Sequence, residues 1–169
     1  MSEELVALYT LDGAPTGTGV PRSVMRRDNL IHGVASVVVR DSRGRVYVHR
    51  RTETKDVYPG DHDAFISGCM QFGESPEDCA QRELAEELGV TGVTLTPVLT
   101  TMYEDARTRQ VAFVFLTWYD GPIAHQPEEI SWGGWMTVDE LRAKLMDPTW
   151  RFVPDGRALL QRLLERGLL

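Results

Sequence analysis

Apolar and polar residues follow one another in blocks that predict strands interleaved with helices. A nearly continuous apolar run at residues 34–39 predicts a strand buried on both faces, and a turn at residues 41–44 joins it to a second strand. Residues 10–21, rich in Gly, Thr and Pro, are typical of a loop or a short edge strand. Such a pattern predicts an α/β (α+β) fold, a mixed sheet sandwiched between helices. Further β-rich runs predict strands at residues 95–103, 110–119 and 129–136.

Three helices are predicted from their boundary signals. The first spans residues 75–89, with a serine cap, a proline at the first helical position and a left-handed glycine at its end. The second follows a capping box at residues 137–140 and runs to about Met146. The third begins at Pro154. The apolar face of the first helix is expected to pack on the sheet and consists of Ala80, Leu84, Ala85 and Leu88.

Length and composition limit the classes of protein. The 169 residues suit one domain spanning residues 1–169, in which about residues 1–30 form an N-terminal extension packed on the rest. The N-terminus lacks a basic region followed by an apolar run, and no apolar stretch approaches the roughly 18 residues of a membrane span. The two cysteines show no metal or redox spacing, so a reduced, cytoplasmic protein is expected. A net charge of −7 argues against a nucleic-acid partner.

The segment Gly68–Val90 carries the chemistry. Arg82, Glu83, Glu86 and Glu87 fall within an arc of roughly 140° on the predicted helix. Three carboxylates at this spacing repel one another unless a positive charge lies between them. Carboxylate and carbonyl oxygens are the ligands that hard divalent cations such as Mg²⁺ prefer. The pattern therefore predicts a metal site on this face of the helix.

The spacing of this segment resembles the complete Nudix box, with Gly68, Glu74 and Arg82-Glu83-Leu84-Ala85-Glu86-Glu87-Leu88-Gly89-Val90 at the defining positions. The resemblance implies a Nudix fold that hydrolyses a diphosphate linked to another moiety, with Mg²⁺, or alternatively Mn²⁺, as cofactor. It implies Glu83, Glu86 and Glu87 as metal ligands and catalytic residues, joined by the Gly68 carbonyl. Arg82 is expected to pair with Glu74 and to hold Glu83 in position. Which acid serves as the base stays open.

A second resemblance concerns the residues before the box. Residues 40–76 are similar to the Nudix branch that contains isopentenyl diphosphate isomerase and its hydrolase relatives, through Arg50-Arg51, Lys55 and Pro59-Gly60. The resemblance implies that Arg51 and Lys55 bind the substrate's phosphates, which suits a guanidinium fork and an ammonium point charge. The alternative is that these basic residues only increase solubility, and this alternative is stronger for Arg50.

Departures from the isomerase favour hydrolysis. Ser67 stands where the isomerase has its catalytic cysteine, and Gln110 where it has its catalytic glutamate. Of the isomerase's histidine ligands, His32 alone is matched, and Met25 stands where another would lie. Cys69 is offset from the isomerase position and is interpreted as incidental. An isomerase-like enzyme is therefore the alternative function, disfavoured by Ser67 and Gln110.

Other candidates depend on weaker signals. Glu129 lies in a C-terminal pattern common in the family, where an acid sometimes adds a base or a metal ligand, and a plain surface acid is an equal alternative. His32 is expected to be a packed or turn residue, and the tryptophans are expected in the core. The expected partner is a small-molecule diphosphate, and the family also allows a homodimer. A binding module without turnover is a third class, which the intact box disfavours.

Overall fold

The computed structural model describes residues 3–169, and residues 1 and 2 of the expected N-terminal extension lie outside them. In this range the strands form one nine-stranded mixed sheet. Its centre is β3, which is parallel to β8 and antiparallel to β1, β4 and β6. The strands are β1 Leu5–Tyr9, β2 Pro15–Pro21, β3 Ile31–Arg40, β4 Val46–Arg51, β5 His62–Asp63, β6 Ile66–Cys69, β7 Thr96–Glu104, β8 Arg109–Trp118 and β9 Ile130–Met136. The helices are α1 Arg22–Arg27, α2 Pro76–Leu88, α3 Val138–Met146 and α4 Pro154–Glu165.

Helices cover the central sheet on both faces, which confirms the predicted fold class. Alternate residues of β3 belong to different clusters: Val37 and Val39 pack with α2, whereas Val38 packs with α3 and α4. All six residues of the apolar run at 34–39 are buried, as expected for a strand with helices on both sides. On the first face, α2 contributes Ala80, Leu84 and Leu88; on the second, α3 and α4 contribute Leu141, Leu145, Leu159, Leu160, Leu163 and Leu164.

Most predicted boundaries agree with the structure to within one residue, and the predicted capping box forms. The Thr137 side chain accepts a hydrogen bond from the Glu140 amide at 3.1 Å, and the Glu140 carboxylate accepts one from the Thr137 amide at 2.7 Å. Residues 15–21 form the edge strand β2, which pairs with β1. Four elements had no prediction because their segments are too short to show a periodic pattern: β1, α1, β5 and β6.

The tryptophans correct a prediction, because two of them are not core residues. Trp118 is 55% exposed at the end of β8, where the Arg40 guanidinium lies 5.1 Å from its ring centroid. Trp132 is 41% exposed on β9 and meets Trp150 edge to face, with 6.1 Å between ring centroids. Hydrophobicity alone does not tell which large apolar side chains stay exposed. No helix in residues 3–169 is long and apolar enough to cross a membrane.

Candidate active site

The helix α2 holds the acidic cluster and has defined ends. The Ser75 hydroxyl accepts a hydrogen bond from the Asp78 amide at 3.1 Å, and Pro76 occupies the first turn. Gly89 ends the helix with a φ of 66°, a left-handed conformation that favours glycine. Both ends are fixed by local sequence, so the helix presents its acidic face in one orientation towards β6.

Gly68 allows the helix to approach the neighbouring strand closely. It lies in β6 opposite Ala35 of β3. A Cβ atom at this position would lie 1.9 Å from Oε1 and 2.1 Å from Cδ of Glu83. Any residue larger than glycine would therefore displace the Glu83 carboxylate. The Gly68 carbonyl lies beside the same helix and accepts a long hydrogen bond of 3.6 Å from the Cys79 thiol.

Arg82 connects the acids of the box. Its guanidinium donates to both oxygens of Glu74, at 2.8 and 3.1 Å, and to Glu83 at 2.6 Å. A longer contact of 3.4 Å reaches Glu86. Glu74 is itself anchored by the Gln71 amide at 2.9 Å. The hydrogen bond from Arg82 lowers the pKa of Glu74 despite partial burial, whereas the Glu74 carboxylate raises the pKa of Arg82. The arrangement matches the expected pairing of Arg82 with Glu74 and Glu83.

The three carboxylates of the predicted metal site have different environments. Glu83 is buried, and burial raises its pKa. Burial, and then repulsion by Glu83 and Glu129, raises the pKa of Glu87 to about 8. The Glu86 side chain is 53% exposed. Within the described residues no three His, Cys, Asp or Glu side chains are arranged as a ready-made metal site, because Glu83 and Glu86 face Arg82 instead.

The chemistry of this donor set fits a hard divalent cation. The side-chain donors are all carboxylate oxygens, which suits Mg²⁺ or Mn²⁺ better than a soft metal. Burial, and then repulsion by Glu83 and Glu129, raises the pKa of Glu87, and a cation beside it would favour the ionised carboxylate. Glu83 and Glu86 each contact Arg82 through one carboxylate oxygen, so their second oxygens can bind an ion while Arg82 keeps its contacts.

A polar cavity of about 490 Å³ opens in front of α2. Its lining includes Glu83, Glu86 and Glu87 from α2, together with Arg51 from β4 and Lys55 from the segment after it. The Arg51 guanidinium is held by two hydrogen bonds to the Val57 carbonyl, at 3.1 and 2.9 Å. The Lys55 ammonium forms an ion pair with the Glu129 carboxylate. The structure thus brings the predicted phosphate-binding residues and Glu129 into one cleft with the box acids.

Two arginines of α1 also line this cleft, and neither was predicted from the sequence to be a site residue. Arg22 and Arg26 come from the N-terminal segment, before the first predicted strand. Arg26 forms an ion pair with Asp56, which ties α1 to the segment after β4. The Nε atom of Arg22 is buried and has no hydrogen-bond partner among residues 3–169. The available signal was a cluster of three arginines at residues 22–27 in a chain of negative net charge.

A second cavity, of about 300 Å³, adjoins the cleft. The two share Arg22, Arg26, Arg51 and Glu87 as lining residues, together with the residues of β6 from Ser67 to Cys69. It extends between β3, β4, β8 and the start of α4. A molecule whose charged part lies in the cleft can therefore extend its other part into this deeper cavity.

The residues that depart from the isomerase have ordinary structural partners. Ser67 donates a hydrogen bond to Ser36 at 2.9 Å, and Gln110 donates one to Asp155 at 3.0 Å. His32 is buried, with Nδ1 3.1 Å from the Leu30 carbonyl oxygen, as expected for a packed residue, although it also lines the deeper cavity. Both cysteines are free thiols, and Cys69 lies at the boundary of the two cavities.

The fold and the acidic cleft define a class of proteins, and comparison with known proteins identifies the family. The model of the NUDIX domain matches residues 30–156, so the chain belongs to the Nudix family. The chain is 45% identical over 169 residues to the uncharacterized Nudix hydrolase orf19 of Rhodococcus erythropolis, covering 94% of this chain and 91% of that protein. The chain is a Nudix hydrolase by these criteria.

Solved structures confirm the fold. The DR0079 protein of Deinococcus radiodurans superimposes with a TM-score of 0.80 at 22% identity, covering 94% of this chain and 98% of that one. The NUDIX domain of NrtR from Shewanella oneidensis, solved with ADP-ribose, gives a TM-score of 0.63 at 18% identity, covering 79% and 86%. At these identities the likeness supports the Nudix fold and says nothing about the substrate.

Proposed function

We propose that this protein hydrolyses the pyrophosphate linkage of a diphosphate joined to another moiety, with Mg²⁺, or alternatively Mn²⁺, bound by the box. The observation that carries the proposal is the cleft itself, which is lined by Glu83, Glu86 and Glu87 together with Arg51 and Lys55. The carboxylates suit a cation, and the basic side chains suit phosphate oxygens. Such a cleft can hold a diphosphate together with a metal.

The roles of the residues follow from their positions. Arg51 and Lys55 neutralise and orient the diphosphate, and Lys55 exchanges its ion pair with Glu129 for one with phosphate. Glu83, Glu86 and Glu87, with the Gly68 carbonyl, would hold the metal, which when bound would supply Lewis acidity and lower the pKa of a water. Arg82 and Glu74 keep Glu83 in place. Glu83, Glu86, Glu87 and Glu129 all line the cleft and are the candidates for the base.

The isomerase alternative gains no support. The similar curated protein is named a hydrolase, and the positions of the two isomerase catalytic groups hold a serine and a glutamine engaged with Ser36 and Asp155. We place the chain on the hydrolase side of the isomerase-like branch because it keeps Arg51 and Lys55 together with a complete box. Solvent deuterium entering an isoprenoid diphosphate without phosphate release would contradict this assignment.

The proposal is tested with a panel of diphosphates incubated with Mg²⁺, and cleavage is scored by chromatography of the monophosphate products. ADP-ribose belongs in the panel because one structural neighbour was solved with it. We expect cleavage of at least one panel member, reduced at least about 100-fold by Glu87→Gln, since loss of a metal ligand weakens binding of the cation. Glu77→Gln is the matched control, because Glu77 is an exposed acid of the same helix that lines neither cavity. Equal activity in both variants would exclude the proposed role of the box.

A further inference from the structure

The deeper cavity has a polar floor that the proposed reaction does not use. Three of the ionisable side chains that line the cavity form this floor, His49 from β4, Asp63 from β5 and Asp155 from α4. His49 and Asp63 are cross-strand partners, and both are buried, at 4% and 8% exposure. None of them belongs to the Nudix box. A cavity needed only for packing would be lined by apolar residues instead.

These buried side chains have few partners, and one of their polar atoms has none. The Nδ1 atom of His49 is buried without a hydrogen-bond partner among residues 3–169. Asp63 accepts a hydrogen bond from the Phe65 amide and Asp155 accepts one from Gln110, each at 3.0 Å, but within the described chain neither carboxyl forms an ion pair. A polar group left in this state destabilises the free protein and is typical of a ligand site.

The two carboxyls are held close to the start of α4. A Cβ atom at Gly156 would lie 2.5 Å from Oδ1 and 3.1 Å from Oδ2 of Asp63, so only glycine allows this approach. Burial, and then repulsion by Asp155, raises the pKa of Asp63 well above its usual range, and burial raises the pKa of Asp155. Burial lowers the pKa of His49 to about 3. The floor of the cavity is therefore polar, and burial disfavours the charged form of all three side chains.

The surroundings restrict what can bind there. The remaining wall includes the apolar side chains of Val34, Phe65 and Val153. A purely hydrocarbon group would leave His49 Nδ1 without a partner and keep Asp63 and Asp155 desolvated, which is unfavourable. An anionic group would meet the two carboxyls, because three of the four lining arginines, Arg22, Arg26 and Arg51, are shared with the cleft that takes the diphosphate. A cationic group would enter a cavity lined by those three arginines and Arg107. An uncharged group with hydrogen-bond donors and an apolar carbon frame satisfies all these side chains.

We propose that the cavity lined by His49, Asp63 and Asp155 binds the group attached to the diphosphate, and that it selects an uncharged, hydroxylated carbon chain or ring. The hydroxyls donate to the two carboxyls and accept from, or donate to, the His49 imidazole. The arginines and Glu87 shared by the cleft and the cavity place the diphosphate of the same molecule beside the box acids. This inference rests on the proposed function for the assignment of the cleft.

Binding of three methylene-bisphosphonate analogues, which cannot be hydrolysed at the bridge, tests the selection. Their attached groups are 2,3-dihydroxypropyl, 3-methylbutyl and 4-aminobutyl, which have the same number of non-hydrogen atoms and differ in hydroxyl content and charge. Titration calorimetry with the full chain and Mg²⁺ gives a Kd for each. We expect the dihydroxypropyl analogue to bind at least about 10-fold more tightly than either other analogue, as for hydroxyls that meet unpaired buried polar groups.

Two substitutions locate the effect. Asp155→Leu is expected to abolish the preference for the dihydroxypropyl analogue while the 3-methylbutyl analogue still binds, because the cleft is unchanged. Asp63→Asn keeps an oxygen for the Phe65 amide and is expected to reduce the preference with the fold intact, as checked by thermal unfolding. Glu165→Gln, an exposed change at the far end of α4, is the control and should keep the full preference.

The outcomes separate this inference from the proposed function. Equal binding of the three analogues, a preference for the 3-methylbutyl or 4-aminobutyl group, no binding of any, or an unchanged preference in Asp155→Leu would each overturn the selection. Hydrolysis of panel diphosphates alongside any of these results leaves the proposed function standing. A preference for the dihydroxypropyl analogue in a protein that cleaves no diphosphate would support the selection and refute the hydrolysis.

Discussion

Gly68→Ala provides the sharpest test of how β6 and α2 together position the Glu83 carboxylate. The alanine Cβ would lie 1.9 Å from Glu83 Oε1, whereas ordinary van der Waals contact begins at 3.4 Å. The carboxylate must therefore move by about 1.5 Å, and it can do so because it is the far end of a flexible side chain. Such a move breaks the 2.6 Å contact with Arg82. The fold can adapt to the new methyl group, but the proposed metal ligand cannot keep its place.

The expected consequence is a large loss of activity with a small loss of stability. A misplacement of about 1 Å in a catalytic group typically lowers the rate by about 100-fold, so we expect kcat to fall by at least that factor. The overpacking itself is expected to reduce the free energy of unfolding by about 1–3 kcal/mol, out of the 5–15 kcal/mol typical of domains. The rate of diphosphate cleavage with Mg²⁺ measures kcat, and urea unfolding measures the free energy of unfolding.

Gly92→Ala is the matched control. Gly92 has a φ of 69°, and a Cβ atom there would meet nothing within 4 Å, so its replacement introduces backbone strain without a contact. We expect about 1 kcal/mol of destabilisation and unchanged kcat. If Gly68→Ala kept full activity, or if the control lost as much activity, the argument that Gly68 is needed for the placement of Glu83 would be wrong.

Three further predictions follow from other parts of the structure. Its surroundings raise the pKa of Glu87 to about 8 in the metal-free protein, from an ordinary 4.5, so its carboxyl is about 90% protonated at pH 7. We therefore expect Mg²⁺ binding at Glu87 to release about one proton. We also expect the free energy of unfolding of the metal-free protein to fall as the pH rises from 4.5 to about 8. Calorimetry in buffers of different ionisation enthalpy measures the proton, and buffer-independent heats would contradict the prediction. Lys55→Gln should raise KM for the diphosphate about 10-fold or more and affect kcat less, because it removes a phosphate contact; a change in kcat alone would refute that role. Leu160→Ala, at a fully buried position of α4, should lower the free energy of unfolding by about 2–5 kcal/mol, as measured in urea. A loss below about 1 kcal/mol would contradict this prediction, because it would mean that neighbouring side chains fill the space left by the leucine.

The sequence predicted the elements whose signals are local. The cap at Ser75, the left-handed Gly89 and the box at Thr137–Glu140 each involve residues within one turn, so their geometry is contained in the chain itself. The apolar run at 34–39 predicted a strand covered on both faces, because such a strand shows no alternation of apolar and polar residues. The box residues were also predicted from a local signal, since their spacing within α2 and the preceding loop places them on one face of the helix.

The remaining features depend on contacts between distant segments, which one sequence does not reveal. Arg22 and Arg26 reach the cleft because α1 packs beside the segment after β4, through the Arg26–Asp56 ion pair. The polar floor joins β4, β5 and α4, and its members show no spacing that links them along the chain. Trp118 and Trp132 were predicted in the core because they are hydrophobic, although both are exposed.

Hydrolysis in ¹⁸O-labelled water tests the central claim most directly. The protein is incubated with Mg²⁺ and the panel diphosphate that is cleaved fastest, and the phosphorus-containing products are analysed by mass spectrometry. Attack of water on phosphorus predicts one ¹⁸O atom in one product per bond cleaved, with the labelled product lost in Glu87→Gln and retained in Glu77→Gln. Products without label, or labelled products at equal rates in both variants, would contradict a metal-dependent hydrolase built on this box.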